Sequence, residues 1–245
     1  MEQIITRHRH DLKRRELTVT RAFHLTPLMI RIVLEGEDMA DFISLAPDDH
    51  VKLIFPSDTD TPLMREYTPR AFDDRSLTLD FALHDAGPAT GWARNARPGD
   101  VLTVAGPRGS AVVTAAFDWW LLIGDETALP AIGRWAGELP RDTRLITLGA
   151  VTDTGERQAF ATEAPYDAHW CHRPAAQAAD PAPLVAAARA LDLPEGRGFI
   201  WIAAEARVAR SLRDHFLAQG HPRHWMKAAG YWTQGIADGS DKTLD

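Results

Sequence analysis

Three short runs of residues carry side chains whose types and spacing could do chemistry. The first is REYTPR at residues 65–70, in which Arg65, Tyr67 and Thr68 fall within four positions. On an extended strand Arg65 and Tyr67 point to one side and Thr68 to the other. A guanidinium that pairs with phosphate, a ring that packs on a flat heterocycle and a hydroxyl that bonds a ring nitrogen would together suit a flavin. The alternative is an ordinary edge strand with solvated charges, and so short a motif leaves both interpretations open.

The second run, HDAGPATGW at residues 84–92, follows an alternating strand and opens a predicted helix. Backbone N–H groups at a helix N-terminus, Gly87 for close approach and the Thr90 hydroxyl would form a seat for a diphosphate. A plain connection capped by Asp85 or Thr90 explains the same residues equally well. The run therefore indicates either a phosphate site or a structural cap.

The third run, GDETALPAI at residues 124–132, lies between a buried strand and a helix. An α/β nucleotide-binding domain holds its diphosphate at this position. The run lacks the glycine fingerprint, however, and Asp125 and Glu126 bring negative charge to the place where phosphate would approach. Because acidic residues also stabilise a helix N-terminus, a structural cap competes with a nucleotide contact.

The first half of the chain has the pattern of β-structure. In SLTLDFALH, Leu77, Leu79, Phe81 and Leu83 alternate with polar Ser76, Thr78 and Asp80, which predicts a half-buried antiparallel strand. The runs LTVTRAFHL, MIRIVLEG, VKLIFP and DVLTVAG predict further short strands between Pro, Gly and Asp turns. We expect a small barrel, interrupted by one helix around GWARNA that ends before Pro98.

The second half has a different period. The runs WWLLIG, RLITLGAV and GFIWIAA are continuously apolar, as expected for strands covered on both faces. Helical patterns follow the first and third runs, the latter ending at Gly220, and the end of the Ala-rich stretch near residue 185 predicts another helix. Strand–helix alternation indicates a parallel sheet. We place the boundary so that the domains span residues 1–116 and 117–245.

Composition limits the possible functions. The chain of 245 residues is 45% hydrophobic and 25% charged, as in a water-soluble globular protein, and it has no membrane-length apolar stretch or secretory signal. We therefore expect a cytoplasmic protein. A net charge of −7 argues against a nucleic-acid partner, and the basic residues 7–15 are interpreted as a solvated terminus. One cysteine, Cys171, is too few for a disulfide or a cysteine-based metal centre, and we interpret it as a bystander.

The three runs, together with WIAAEARVARSLRDHF and AGYWTQG, resemble the siderophore-interacting protein family of ferredoxin-reductase-like flavoproteins, in the same order from about residue 17 to 235. The resemblance implies a two-domain β plus α/β fold, in which a six-stranded antiparallel FAD-binding barrel precedes a parallel-sheet nucleotide-binding domain. It implies FAD as cofactor, NADPH or NADH as electron donor and a ferric siderophore as substrate, with release of Fe(II). We expect a monomer. We also expect no metal site in the protein itself, because the siderophore supplies oxygen ligands to the iron.

The resemblance also assigns site residues. Arg65, Tyr67 and Thr68 would hold the flavin, with Tyr67 and Thr68 nearest the reaction. The residues expected around the ribityl–diphosphate portion are His84, Gly87, Ala89, Thr90 and Trp92. Those expected to border the nicotinamide nucleotide and close the site are Gly124, Asp125, Glu126, Thr127, Ala204, Glu205, Tyr231 and Trp232.

Positive side chains near the flavin would attract anionic ferric complexes. Lys52 and Arg134 are the substrate candidates, and Arg157 is the candidate for the additional phosphate of NADPH; an ordinary solvated base is the alternative for each. Two other functions share the fold. One is a general NAD(P)H-dependent flavin or ferredoxin reductase. The other is a non-enzymatic siderophore-binding flavoprotein, suggested by the acidic Asp125 and Glu126.

Overall fold

A computed structural model describes residues 3–55, 62–84, 87–114, 116–236, 239–241 and 244. The chain divides into two compact units, the first of them Gln3–Thr114 and the second made of the residues from 116 onward. Each unit encloses its own cluster of buried apolar side chains. Because the two clusters share no residue, each unit has its own core.

The first unit is built on an antiparallel sheet of seven strands in the order β5-β4-β8-β2-β3-β7-β6, beside a two-stranded β1-β9 ribbon. The strands are β1 (Ile5–Arg9), β2 (Arg14–Thr26), β3 (Met29–Glu35), β4 (Val51–Phe55), β5 (Leu63–Tyr67), β6 (Ala71–Phe72), β7 (Ser76–Ala82), β8 (Val101–Ala105) and β9 (Gly109–Val113). All five strand predictions in this half are confirmed. The sheet has seven strands in the described residues rather than six, because the two-residue β6 pairs with the edge of β7.

Strand β7 shows how the alternation of apolar and polar residues corresponds to burial. Leu77, Leu79 and Phe81 are fully buried in the core, as predicted. The opposite face is less open than its polar residues suggested, because Asp80 is buried as well. Arg31 stands opposite Asp80 in the β3–β7 register and donates to both of its oxygens at 2.6 and 2.7 Å. The guanidinium of Arg31 therefore replaces water as the partner of this carboxylate.

Helix α1 (Pro88–Asn95) connects β7 to β8 and confirms the helix predicted around GWARNA. Pro88 occupies the first turn, where its missing N–H costs no hydrogen bond. The helix ends at Ala96, whose extended backbone precedes the Pro98-Gly99 turn. It buries Ala89 and Ala93 against the core of the first unit.

The second unit is a five-stranded parallel sheet in the order β12-β11-β10-β13-β14. Its strands are β10 (Trp119–Gly124), β11 (Arg144–Val151), β12 (Tyr166–His172), β13 (Gly198–Glu205) and β14 (Met226–Trp232). The inner strands β10, β11 and β13 are the three predicted from continuous apolar runs. The edge strands β12 and β14 were not predicted, because each is only partly covered and carries polar residues among the apolar ones.

Three helices accompany this sheet: α2 (Leu129–Glu138), α3 (Ala182–Arg189) and α4 (Ala206–Ala218). All three were predicted. Gly220 adopts a φ of +86° just beyond α4, a conformation that favours glycine and stops the helix. The short 3-10 helices of the chain are Glu37–Asp41, Thr154–Glu156, Ala175–Gln177 and Arg223–Trp225. Among the residues that the structure describes, no helix combines the length and the apolar character needed to cross a bilayer.

Candidate functional site

The REYTPR run forms the end of strand β5 and the three residues that follow it. Arg65 is partly buried, and its Nη1 donates to the carbonyl of neighbouring Met64 at 2.7 Å. Within the described ranges Arg65 makes no ion pair, so its charge is not neutralised by a carboxylate there. The Thr68 side chain is buried directly after the strand. Arg65 on the strand and Thr68 directly after it thus belong to the segment in which the sequence predicted a flavin contact.

Tyr67 faces the core of the first unit. Its ring centroid lies 4.3 Å from that of Phe81, which is fully buried. Burial raises the pKa of the Tyr67 hydroxyl, although Arg65 opposes the shift, so the hydroxyl is a neutral donor at physiological pH. Tyr67 therefore combines an apolar ring contact with a protonated hydroxyl.

The second predicted segment reaches the same aromatic cluster. The Trp92 ring on α1 lies 5.8 Å from Phe81 and 5.7 Å from Phe55. Phe81 consequently touches both Tyr67 of the first segment and Trp92 of the second. Two runs that are separated by some twenty positions in the sequence are brought together on one buried ring.

The N-terminus of α1 begins at a glycine. Gly87 is its N-cap with a φ of +156°, and a Cβ atom at this position would meet nothing within 4 Å. No side chain of a described residue caps the helix; Asp85, the capping alternative, lies outside the described residues. The Thr90 hydroxyl instead accepts a long hydrogen bond of 3.4 Å from the backbone N–H of His84. Because Pro88 has no N–H, the first turn offers the N–H groups of Ala89 and Thr90, which no described side chain caps.

These observations fit a flavin dinucleotide. The start of α1, which no described side chain caps, offers N–H groups and a positive dipole end to a diphosphate, and Gly87 allows close approach. Arg65 brings a charge that no described carboxylate neutralises, and Thr68 brings a hydroxyl. The flavin roles of these residues stay predictions.

In the second unit, the strand order reverses between β10 and β13. The chain runs outward from β10 to β11 and β12 and then returns to place β13 on the other side of β10. In open parallel sheets the crevice outside the carboxyl ends at such a reversal is the usual ligand site. Gly124 ends β10 at this point, and a Cβ atom there would collide with the Ala128 side chain and lie 2.7 Å from the Ala203 carbonyl oxygen. Close packing between strand and helix therefore requires glycine at 124.

Asp125 occupies the reversal point itself and is only 2% exposed. Its Oδ1 accepts from the Thr127 N–H at 3.0 Å and from the Thr127 hydroxyl at 2.6 Å. Its Oδ2 accepts from the Glu205 N–H at 2.9 Å and from the Trp232 Nε1–H at 2.8 Å. Four of the residues predicted to border the nucleotide therefore meet at one carboxylate, which is saturated by donors from the protein.

Glu205 also has a structural function. The fully buried side chain caps α4, because its Oε2 accepts from the N–H groups of Arg207 at 2.6 Å and Val208 at 3.2 Å. Its Oε1 accepts from the Gln234 N–H at 3.2 Å. Ala204 beside it is buried, and the Tyr231 ring stands edge-on to Trp201 at 6.1 Å. These residues border the reversal point through packing and backbone hydrogen bonds.

Glu126 pairs with Arg173, a residue that the sequence analysis missed. Arg173 Nη1 and Nη2 donate to the two Glu126 oxygens at 3.2 and 2.8 Å. Burial and the charge of Asp125 raise the pKa of Glu126, and Arg173 opposes this shift. Arg173 directly follows edge strand β12, so the absence of an apolar run hid the strand and with it the position of the arginine.

The three basic candidates differ in accessibility. Arg134 is only 6% exposed, and its Nε donates to Glu138 one turn along α2 at 2.6 Å, which argues against contact with a substrate. Lys52 is partly exposed on β4 and has no ion pair within the described ranges. Arg157 is exposed, and its Nε donates to His172 Nε2 at 3.0 Å. Lys52 and Arg157 thus keep side chains that a ligand could reach.

An antiparallel sheet followed by a five-stranded parallel sheet is the fold of the ferredoxin-reductase-like class of proteins. A ferredoxin NADP+ reductase from Neisseria gonorrhoeae with bound FAD and NADP shares this fold, at a TM-score of 0.63 and 14% identity over 85% of this chain and 92% of that chain. The predicted fold class is confirmed.

The chain belongs to the siderophore-interacting protein family. Residues 18–62 and 58–111 match the family model of the siderophore-interacting FAD-binding domain, and residues 117–235 match that of the siderophore-interacting protein. The chain is 34% identical to the NADPH-dependent ferric-chelate reductase of Escherichia coli, over 92% of this chain and 95% of that protein. A siderophore utilization protein from T. fusca has a TM-score of 0.90 and 34% identity, covering 96% and 98% of the two chains. The resemblance found in the sequence is confirmed.

Proposed function

We propose that the protein is an FAD-dependent reductase that transfers electrons from NADPH or NADH to iron(III) held by a siderophore. The observation that carries the proposal is the convergence of the Arg65–Tyr67–Thr68 strand and helix α1 on Phe81. The proposal is supported by the match of residues 58–111, which include this strand and helix, to the family model of the siderophore-interacting FAD-binding domain. The similar Escherichia coli protein is named for NADPH-dependent reduction of ferric chelates.

The electron count explains why this reaction needs a flavin. A nicotinamide gives up two electrons as hydride, whereas each iron(III) accepts one, so one NADPH reduces two ferric complexes. When bound, FAD supplies this conversion between paired and single electrons. The chain holds and orients the partners: Arg65 and the first-turn N–H groups of α1 would bind the diphosphate, and Tyr67 and Thr68 would offer hydroxyl groups to the ring.

A ferric siderophore brings its own oxygen ligands, so the protein needs only to attract and position it. Lys52 is the described basic candidate whose charge stays accessible, and we propose that it attracts anionic complexes. Reduction weakens the hold of hard oxygen ligands on the iron and allows Fe(II) to leave. We place this activity in the cytoplasm, where nicotinamide nucleotides are available, and expect the protein to act as a monomer.

The test uses the purified full chain loaded with FAD under anaerobic conditions. NADPH or NADH should bleach the flavin absorbance, a ferric hydroxamate or catecholate complex should restore it, and a chromogenic chelator should trap Fe(II). Replacing Thr68 by valine removes one buried hydroxyl and should slow flavin reduction about tenfold, the equivalent of about one hydrogen bond. Thr103→Val on β8 is the matched control and should leave the rate unchanged. A chain that takes up no FAD ends the proposal.

Two other functions predict different outcomes. A general reductase would prefer ferredoxin or a quinone to every ferric complex in the same assay. A siderophore carrier without enzymatic activity would bind FAD that neither nucleotide reduces. The carrier was suggested by the acidic Asp125 and Glu126, but the charges of both are compensated inside the second unit, the first by four donors and the second by Arg173. The structure therefore leaves the ferric reductase as the better supported function.

A further inference from the structure

We propose that Arg173 is a phosphate-binding residue for the nicotinamide nucleotide, and that Glu126 occupies its guanidinium until the nucleotide displaces it. The inference rests on the proposed function, because it requires a nicotinamide nucleotide as donor. It assigns a binding residue outside the runs on which the family resemblance is based. It also gives a reason for an acidic side chain beside a diphosphate site.

The pair of Arg173 and Glu126 lies at the ends of two strands of the parallel sheet. Arg173 directly follows β12, and its backbone N–H donates to the carbonyl of Val151 at the end of β11 at 3.0 Å. Its side chain reaches Glu126, which follows β10, so the pair crosses the end of β11, the strand between them. Two interstrand spacings amount to about 10 Å. The guanidinium and carboxylate thus lie along the carboxyl edge of the sheet, where nucleotides bind in parallel α/β domains.

The charges of the acidic side chains at this edge favour Arg173 as the anion-binding residue. A diphosphate at this edge would face three carboxylates, those of Asp125, Glu126 and Glu205. From the residues that the structure describes, Asp125 and Glu205 accept hydrogen bonds only from backbone N–H groups and from the uncharged Thr127 and Trp232 side chains. Across the described part of the chain, Arg173 is the only cation paired with any of the three. An anion that binds beside these carboxylates can therefore be compensated by Arg173, once its guanidinium leaves Glu126.

Exposure gives the order of contact. The Glu126 side chain is 18% exposed and that of Arg173 only 3%, so an incoming phosphate meets the carboxylate first. Phosphate forms bidentate, charge-assisted hydrogen bonds with a guanidinium as readily as a carboxylate does. Glu126 is also easier to displace from Arg173 than an unperturbed carboxylate would be, since burial and neighbouring Asp125 disfavour its ionised form. Exchange of one anion for the other therefore keeps Arg173 paired throughout.

The experiment measures the affinity of the FAD-loaded full chain for NADP+ by calorimetry. Glu126→Gln removes the competing charge and should tighten NADP+ binding about tenfold, whereas Arg173→Gln should weaken it about tenfold. Arg173→Lys keeps the charge without the two-pronged geometry and should lie between them. Glu138→Gln is the matched control, because Glu138 also pairs with a buried arginine, Arg134, and its loss should leave the affinity unchanged.

If the pair had only a structural function, Glu126→Gln should weaken NADP+ binding. Loss of a contact that holds Arg173 in place would make the site less ordered. Reduced nicotinamide riboside, which has no phosphate group, should bind all variants alike. If the variants do not fold, a structure of the unaltered protein with NADP+ decides: Arg173 on a phosphate oxygen supports the inference, and an intact pair with Glu126 overturns it. Binding of NADP+ without tightening in Glu126→Gln overturns this inference alone. Absence of nucleotide binding in every form overturns the proposed donor as well.

Discussion

Asp125 shows how a buried carboxylate can be held in the absence of a cation. Both of its oxygens accept two hydrogen bonds, and the donors come from the loop after β10, from the end of β13 and from β14. The negative charge is therefore spread over four N–H and O–H dipoles. Because these donors come from three strand ends, Asp125 ties the sheet together at the point where its strand order reverses.

Replacing Asp125 by asparagine should therefore destabilise the second unit. An amide keeps the shape but presents an NH2 group to two donors that formerly met an oxygen, which leaves buried groups unpaired. We expect a loss of about 2–4 kcal/mol in the free energy of unfolding, measured by urea denaturation. Asp153→Asn is the control: Asp153 is an exposed cap that accepts from Gly155, and asparagine caps equally well. Equal stability of Asp125→Asn and the unaltered protein would contradict the argument.

At the scale of single residues, the sequence identified candidate site residues more readily than it identified their contacts. The types and spacing of Arg65, Tyr67 and Thr68 predicted a segment that serves a flat ring; the structure packs Tyr67 against Phe81, and the flavin contact stays a prediction. The partner of Glu126 could not be foreseen, because Arg173 is 47 positions away along the chain. Local patterns show the chemistry that a residue offers, whereas tertiary contacts decide how much of it stays available.

At the scale of elements, prediction from sequence succeeded where burial is complete. Strands β10, β11 and β13 are covered on both faces, and their continuous apolar runs identified them. Edge strands β12 and β14 have one neighbour each, so exposed and half-buried residues interrupt the pattern. The buried Asp80 on β7 failed the alternating pattern for a related reason, since Arg31 on the adjacent strand covers it. Both errors, the missed edge strands and the buried Asp80, have the same cause. A pattern along the sequence does not show which strands will be neighbours.

Strand β14 is covered at its outer edge by the end of the chain. Gly230 and Asp241 exchange two backbone hydrogen bonds of 2.7 and 2.8 Å, and Arg210 pairs with the Asp241 carboxylate. Arg213 donates to the Leu244 carbonyl at 2.8 Å, and the Leu244 side chain enters the core of the second unit. These contacts satisfy part of an otherwise unpaired sheet edge.

Leu244→Ala should accordingly cost stability although it lies one residue from the end of the sequence. The side chain is 5% exposed, so its truncation leaves a cavity, and we expect a loss of about 2–3 kcal/mol in urea denaturation. Ile236→Ala is the matched control, because Ile236 is 61% exposed and should change stability by less than about 0.5 kcal/mol. If the two substitutions have the same small effect, the tail does not stabilise the unit.

At the scale of the whole molecule, the change of hydrophobic period along the sequence corresponds to two separate cores. Alternating residues build the antiparallel sheet of the first unit, and continuous apolar runs build the parallel sheet of the second. Each candidate ligand site depends on one core only: the flavin segments on Phe81 and its neighbours, and the nucleotide crevice on the ends of β10 and β13. We therefore propose that residues 1–116 and 117–245 are separate domains, each stabilised by its own ligand.

This proposal predicts which transition each ligand shifts. Seven of the eight tryptophans, all except Trp92, follow residue 116, so tryptophan fluorescence reports chiefly on the second domain, while the release of FAD reports on the first. FAD at a hundred times its dissociation constant should stabilise the first domain by about 2.7 kcal/mol and leave the tryptophan transition in urea nearly unmoved. Saturating NADP+ should do the reverse. If either ligand shifts both transitions equally, the chain unfolds as one cooperative unit and the two cores do not act separately.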